Sequence, residues 1–197
     1  MKSIIIPVIL FSFSMSITPG PNNIMVTASG AKFGFKRTFP HIIGIILGMS
    51  FLYVLCAAGL GAVFFSFPFL KTLLKIAGSV YLVYLAFKII FSKKAENKIE
   101  SGYPLKIHQA AAFQLLNPKA LMIPITAISA YTLNGELYVA SVAFIILTFI
   151  ITGTACVSVW AAFGTVIGRM LKNGKAFRVF NIFLGILTGA TVLMILK

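Results

Sequence analysis

Aspartate is absent from this 197-residue chain, and its three acids are Glu96, Glu100 and Glu136. All three fall between apolar runs, so no carboxylate is available inside an apolar segment to relay a proton or hold a metal ion. Cysteine and histidine occur twice each and form no zinc-ligand cluster. There is no glycine-rich phosphate loop and no nucleophile-base-acid set, which argues against ATP-driven work by this chain alone and against an enzyme. Charged residues of either sign make up only 10% of the chain. A soluble domain of this size needs far more polar surface, and the longest polar stretch, about 92–108, is too short to fold alone.

What the chain has in abundance is apolar sequence, 59% of its residues, with a mean hydropathy of +1.02. These residues group into six runs, about 3–31, 40–65, 69–91, 109–133, 137–168 and 178–196, each near or above the roughly 20 residues that cross a bilayer. The pattern predicts an all-α polytopic membrane protein with a single transmembrane domain over 1–197. The start resembles a signal peptide, but apolar sequence resumes after Pro21 and no cleavage site is convincing, so it reads as the first span.

The net charge of +14 would suggest a nucleic-acid partner in a soluble protein. Here the cations sit between spans instead. The loops and helix ends after spans one, three and five hold Lys32, Lys36 and Arg37, then Lys88, Lys93, Lys94, Lys98 and Lys106, then Arg169, Lys172, Lys175 and Arg178. The opposite side has Lys2, Lys71, Lys75 and Lys197. The positive-inside rule places the richer side in the cytoplasm and both termini outside, with the lipid bilayer as the partner rather than nucleic acid. Three spans per half means that two like halves, about 1–91 and 109–197 around a cytoplasmic loop at about 92–108, have inverted orientations. Residues 74–82 of span three loosely echo 182–187 of span six.

Two spans are broken. Thr18-Pro19-Gly20-Pro21-Asn22-Asn23 interrupts the first near its middle, and Asn117-Pro118-Lys119 interrupts the fourth. Proline removes a backbone donor and clashes with the preceding turn. Hydrocarbon tolerates the groups left unpaired only where they line a cavity. Breaks at matching places in two halves point to a transport site. A half-helix starting at Pro21 and Asn22 offers a positive end suited to a carboxylate, with a structural kink capped by asparagine as the plainer reading. Gln114 stands one turn before the second break. Lys119 is the one base well inside a span, placed either to bind a substrate carboxylate or to snorkel to the cytoplasmic face.

Other features have plainer readings. Cys56 and Cys156, one per half, read as small packing residues, or as a redox pair if they meet in space. Gly44-x-x-x-Gly48, Gly164-x-x-x-Gly168 and Gly185-x-x-x-Gly189 suit close helix packing, either within the chain or in a homodimer. His41 and His108 fall at basic ends of spans, the place for headgroup-level side chains or pH sensors. Trp160 and several tyrosines read as interfacial anchors.

Thr18-Pro19-Gly20-Pro21-Asn22, Gly34-Phe35, Gly44, Gly48, Ala77-Gly78-x-x-Tyr81-Leu82-x-Tyr84-Leu85 and Leu116-Asn117-Pro118-Lys119-Ala120 run in order through nearly the whole chain. Together they resemble the lysine-exporter/homoserine-resistance (LysE/RhtB) superfamily. Cys56-Ala57-Ala58-Gly59, Phe113-Gln114-Leu115 and Thr126-Ala127-Ile128-Ser129 are most similar to its cysteine and O-acetylserine exporters. The resemblance implies secondary, antiport-like efflux of a small neutral amino acid or derivative, homoserine and threonine included, across the bacterial inner membrane, with protons as coupling ion and no cofactor. Some relatives of the homoserine exporter carry an acid in span five, where this chain reads Ile151-Thr152-Gly153-Thr154. The expected substrate site comprises Thr18, Pro19, Gly20, Pro21, Asn22, Asn23, Gln114, Asn117, Pro118 and Lys119. A membrane thiol-redox protein using Cys56 and Cys156, and a passive small-solute channel, stay open as alternatives.

Overall fold

The computed structural model describes residues 1–60, 68–92, 103–171 and 174–196. Lys93, Lys94, Lys98, Lys172, Lys197, Glu96 and Glu100, on which part of the charge reading rests, lie outside them, as does the side chain of Lys71. Eight α-helices form the described residues: α1 (Lys2–Ile17), α2 (Pro21–Phe33), α3 (Phe35–Leu55), α4 (Pro68–Ile90), α5 (Ile107–Leu116), α6 (Pro118–Tyr131), α7 (Tyr138–Met170) and α8 (Gly174–Leu196). A π-turn, Cys56–Leu60, ends α3, and a 3-10 turn, Gly135–Leu137, precedes α7.

Both breaks fall where proline requires them. Pro21 and Pro118 take the first positions of α2 and α6, where a missing N–H costs nothing. The bend between α1 and α2 is 53°, and that between α5 and α6 is 72°. Four helices are long and apolar enough to cross a membrane, or up to six spans if each bent pair counts as one. Gly34, at φ 82°, turns the chain from α2 into α3 in a conformation that side chains resist.

The bent pairs lean on the other half of the chain. α2 packs most extensively on α7, with α1 alongside, α5 packs on α3, and α4 pairs with α8. Small residues permit this closeness. A Cβ on Gly164 or Gly168 would strike the carbonyls of Thr27 or Ala31 of α2, and one on Gly44 or Gly48 would strike those of Ile107 or Ala111 of α5. These two glycine pairs are thus used inside the protomer. In the third, Gly185 meets Ala86 and Ile90 of α4, while Gly189 faces open space. Large apolar side chains such as Ile6, Val139 and Ile151 are exposed, as a lipid-facing surface demands.

One expectation is corrected here. His108 is exposed, but His41 is 1% exposed and turned into the bundle rather than out to its surface. Its position near the start of a span did not reveal that α2 and α5 cover that face of α3. Gly164→Leu is expected to cost about 1–3 kcal/mol or more through forced separation of α7 from α2. A lowered melting temperature of the purified protein checks this, with Gly189→Leu expected to melt as wild type.

Candidate functional site

A helix that stops in mid-bundle leaves its last carbonyls without partners. At the end of α1 nearly every one is taken up by a residue from elsewhere. Thr18 donates its hydroxyl to the Met15 carbonyl at 3.2 Å. Asn23 Nδ2 donates to the Ser16 and Thr18 carbonyls, both at 2.9 Å. Trp160 Nε1, from α7, donates to the Ile17 carbonyl at 3.1 Å. Lys119 Nζ, from α6, donates to the Thr18 carbonyl at 3.1 Å, Thr18 Oγ1 at 2.8 Å and the Pro19 carbonyl at 3.4 Å. Lys119 therefore crosses to the first break and holds the negative end of α1, rather than snorkelling away. It lies directly over Gly20, where a Cβ would come within 3.0 Å of Lys119 Cδ.

The starts of α2 and α6 differ. Asn117 Oδ1 accepts from the Lys119 backbone N–H at 3.2 Å and so caps α6. Gly20 stands at the N-cap of α2 and supplies no side-chain cap. The first-turn amides of α2 are left as a positive end with no side-chain acceptor.

The two bent pairs meet a second time through amides. Asn22 Nδ2 donates to Gln114 Oε1 at 2.8 Å, and Gln114 Nε2 donates back to Asn22 Oδ1 at 3.1 Å. Gln114 is fully buried and also donates to the Ala110 carbonyl at 2.8 Å. Reciprocal pairing of this kind satisfies both amides without water.

Gly20, Pro21, Asn22, Asn23, Asn117 and Lys119 line a cavity of about 70 Å³, room for a few waters. Ser16, Ser50 and Tyr53 are also among its lining residues. Of the residues expected at the site, Thr18 and Pro19 are exposed and serve through Lys119, while Gln114 sits behind Asn22 and Pro118 starts α6. An apolar cluster with Ile4, Val8, Tyr53 and Phe149 closes one side, its Tyr53 and Phe149 rings 4.8 Å apart. A second, with Val26, Ile42, Ile45 and Val157, lies toward the other.

Sequence reading missed Trp160, which is a cap for α1 and not an interfacial anchor. Its position far along α7 gave no sign of α1, because the contact comes from helix packing. Ser16 and Ser50 were missed as well, since lone serines in apolar runs carry no pattern. Cys56 and Cys156 are buried free thiols, and Cys56 packs in the Tyr53 cluster.

The Asn22–Gln114 pair should behave as one unit. In a double-mutant cycle, Asn22→Ala and Gln114→Ala are expected to be non-additive in unfolding free energy by about 1 kcal/mol, because either change alone orphans the partner. Additive losses in chemical denaturation would show that the pair carries no coupling.

Residues 13–195 match the family model described as LysE type translocator. The chain is 28% identical over 177 residues to the cysteine/O-acetylserine efflux protein of Escherichia coli strain K12, covering 90% of this chain and 89% of that protein. The proteins of the same description from Shigella flexneri serotype 5b and Shigella sonnei match with the same identity and coverage. No solved structure matches the chain. With the family model spanning both helix breaks and all but the ends of the chain, this protein belongs to the LysE type translocator family.

Proposed function

We propose that the chain is a secondary exporter of a small neutral amino acid or derivative, of the cysteine and O-acetylserine class, across the bacterial inner membrane. The observation that carries this is the uncapped start of α2 facing a small cavity beside Lys119. A substrate carboxylate at that place meets the first-turn amides and the ammonium together. The oxygens of Asn22 and Asn117 are the acceptors for the substrate ammonium. Among the described residues no acid lines the cavity, so a second positive charge on the substrate, as in lysine, has no counter-charge there. The similarity to cysteine/O-acetylserine efflux proteins supports the same class.

The mechanism follows from what holds the breaks together. Lys119 joins α6 to the end of α1, and Asn22–Gln114 joins α2 to α5. A carboxylate replaces the Thr18 and Pro19 carbonyls as acceptor for Lys119 and releases α1 from α6. The halves, taken as inverted repeats, then rock to expose the cavity on the other side. The pairing of each bent helix with the long helix of the other half supports that arrangement, and the apolar clusters on either side of the cavity serve as alternate gates. The proton gradient drives the cycle, and the basic loops support a topology with both termini outside.

The test is efflux from cells preloaded with labelled cysteine, O-acetylserine, homoserine, threonine or lysine, with and without a protonophore. Loss of one or two neutral substrates, blocked by the protonophore and reduced about 10- to 100-fold in Asn22→Ala, is the expected result. Normal efflux by a normally inserted Asn22→Ala protein, or efflux confined to lysine, would overturn the site.

A further inference from the structure

A second and larger cavity, of about 610 Å³, lies at the basic end of the bundle, away from the two breaks. It is walled by α2, α3, α4 and α8 and by the segment leading into α5. Its size falls within the range of small-molecule sites. The charged side chains that line it are Lys32 and Lys88. Each ammonium rests near an aromatic ring, Lys32 at 5.2 Å from the Phe33 centroid and Lys88 at 5.8 Å from the Tyr84 centroid, and among the described residues no carboxylate lines the cavity. Glu136, the one acid among the described residues, lies in the 3-10 turn before α7, whose far end is the part that packs on α2.

His41 makes this more than a basic patch. It lines the same cavity, is 1% exposed, and has no hydrogen-bond partner at either ring nitrogen. A buried imidazole always carries at least one N–H, and leaving it unpaired is costly. Two other polar side chains of the wall are already engaged, Ser29 with Thr38 at 2.9 Å and Asn181 with the Ser92 carbonyl at 3.0 Å. Among the described residues the wall thus combines two cations with an unpaired imidazole, and holds no acid. A zwitterion is a poor match, since its ammonium would face two lysines. A phosphate offers several anionic oxygens to three separated donors, and the apolar wall at Leu85 and Ile89 suits a glycerol or acyl body.

We propose that this cavity is a second binding site, separate from the one between the breaks, for a phosphate-bearing anion held by Lys32, Lys88 and the His41 N–H. Two sources share that chemistry: the headgroup of an anionic phospholipid and a soluble phosphate ester. Delipidated full-length protein in detergent is titrated with phosphatidylglycerol, with phosphate-free diacylglycerol, and with glycerol 3-phosphate, using native mass spectrometry and thermal melting. Binding of phosphatidylglycerol over diacylglycerol, weakened about 10- to 100-fold in Lys32→Gln/Lys88→Gln and retained in Lys32→Arg/Lys88→Arg, is the expected result. The arginine variant guards against loss of folding as the cause. Phosphatidylglycerol binding that glycerol 3-phosphate does not displace assigns the site to lipid, and binding of glycerol 3-phosphate alone assigns it to the soluble ester. Equal binding of phosphatidylglycerol and diacylglycerol, or unchanged phosphatidylglycerol binding in the glutamine variant, overturns the proposal.

Discussion

The carbonyls at the end of α1 must find donors, and the rest of the site is arranged around that need. A span interrupted by Pro19 and Pro21 cannot pair these groups within itself, and hydrocarbon offers no water to do so. The chain answers with one donor from the next helix, Asn23, and two from the other half, Trp160 and Lys119. Trp160 and Lys119 reach their carbonyls only if the halves pack closely, and Gly164 and Gly168 stand where α7 meets α2. Packing and polar satisfaction thus enforce each other.

The same arrangement creates an electrostatic asymmetry. The negative end of α1 is neutralised by a full positive charge, while the positive end of α2, one short turn away, has no side-chain cap. The second break is self-sufficient, because Asn117 caps α6. One break is therefore closed and the other is open to an anion. With no acid among the described residues of the cavity wall, the local field favours a carboxylate and disfavours an added cation, as the proposed export of a neutral amino acid requires.

Much of this was legible in the sequence, and the reason is local chemistry. Proline cannot continue a helix from the preceding turn without losing a bond, so the junctions of α1 with α2 and of α5 with α6 follow from Pro19, Pro21 and the Asn117-Pro118 step, while Pro7, Pro40 and Pro124 stay inside their helices. Apolar length located the other spans. Asn22 and Gln114 were both suspected from their places beside the breaks, and they meet. Lys119 could be narrowed to two directions, because ten or so helical residues bring either end of a lysine side chain within reach of different surroundings. What the sequence could not reveal were contacts set by helix rotation: Trp160 capping α1, and His41 turned inward. A side chain on an apolar helix carries no mark of which neighbour it will face.

The central claim is that a substrate carboxylate takes Lys119 from the end of α1. The direct measurement is equilibrium binding of O-acetylserine and its carboxamide analogue to purified wild-type and Lys119→Met protein. Wild type is expected to prefer the acid by about 10- to 100-fold, and the variant to lose most of that preference. Equal binding of acid and amide to the wild type, or a preference that survives in Lys119→Met, would contradict the claim.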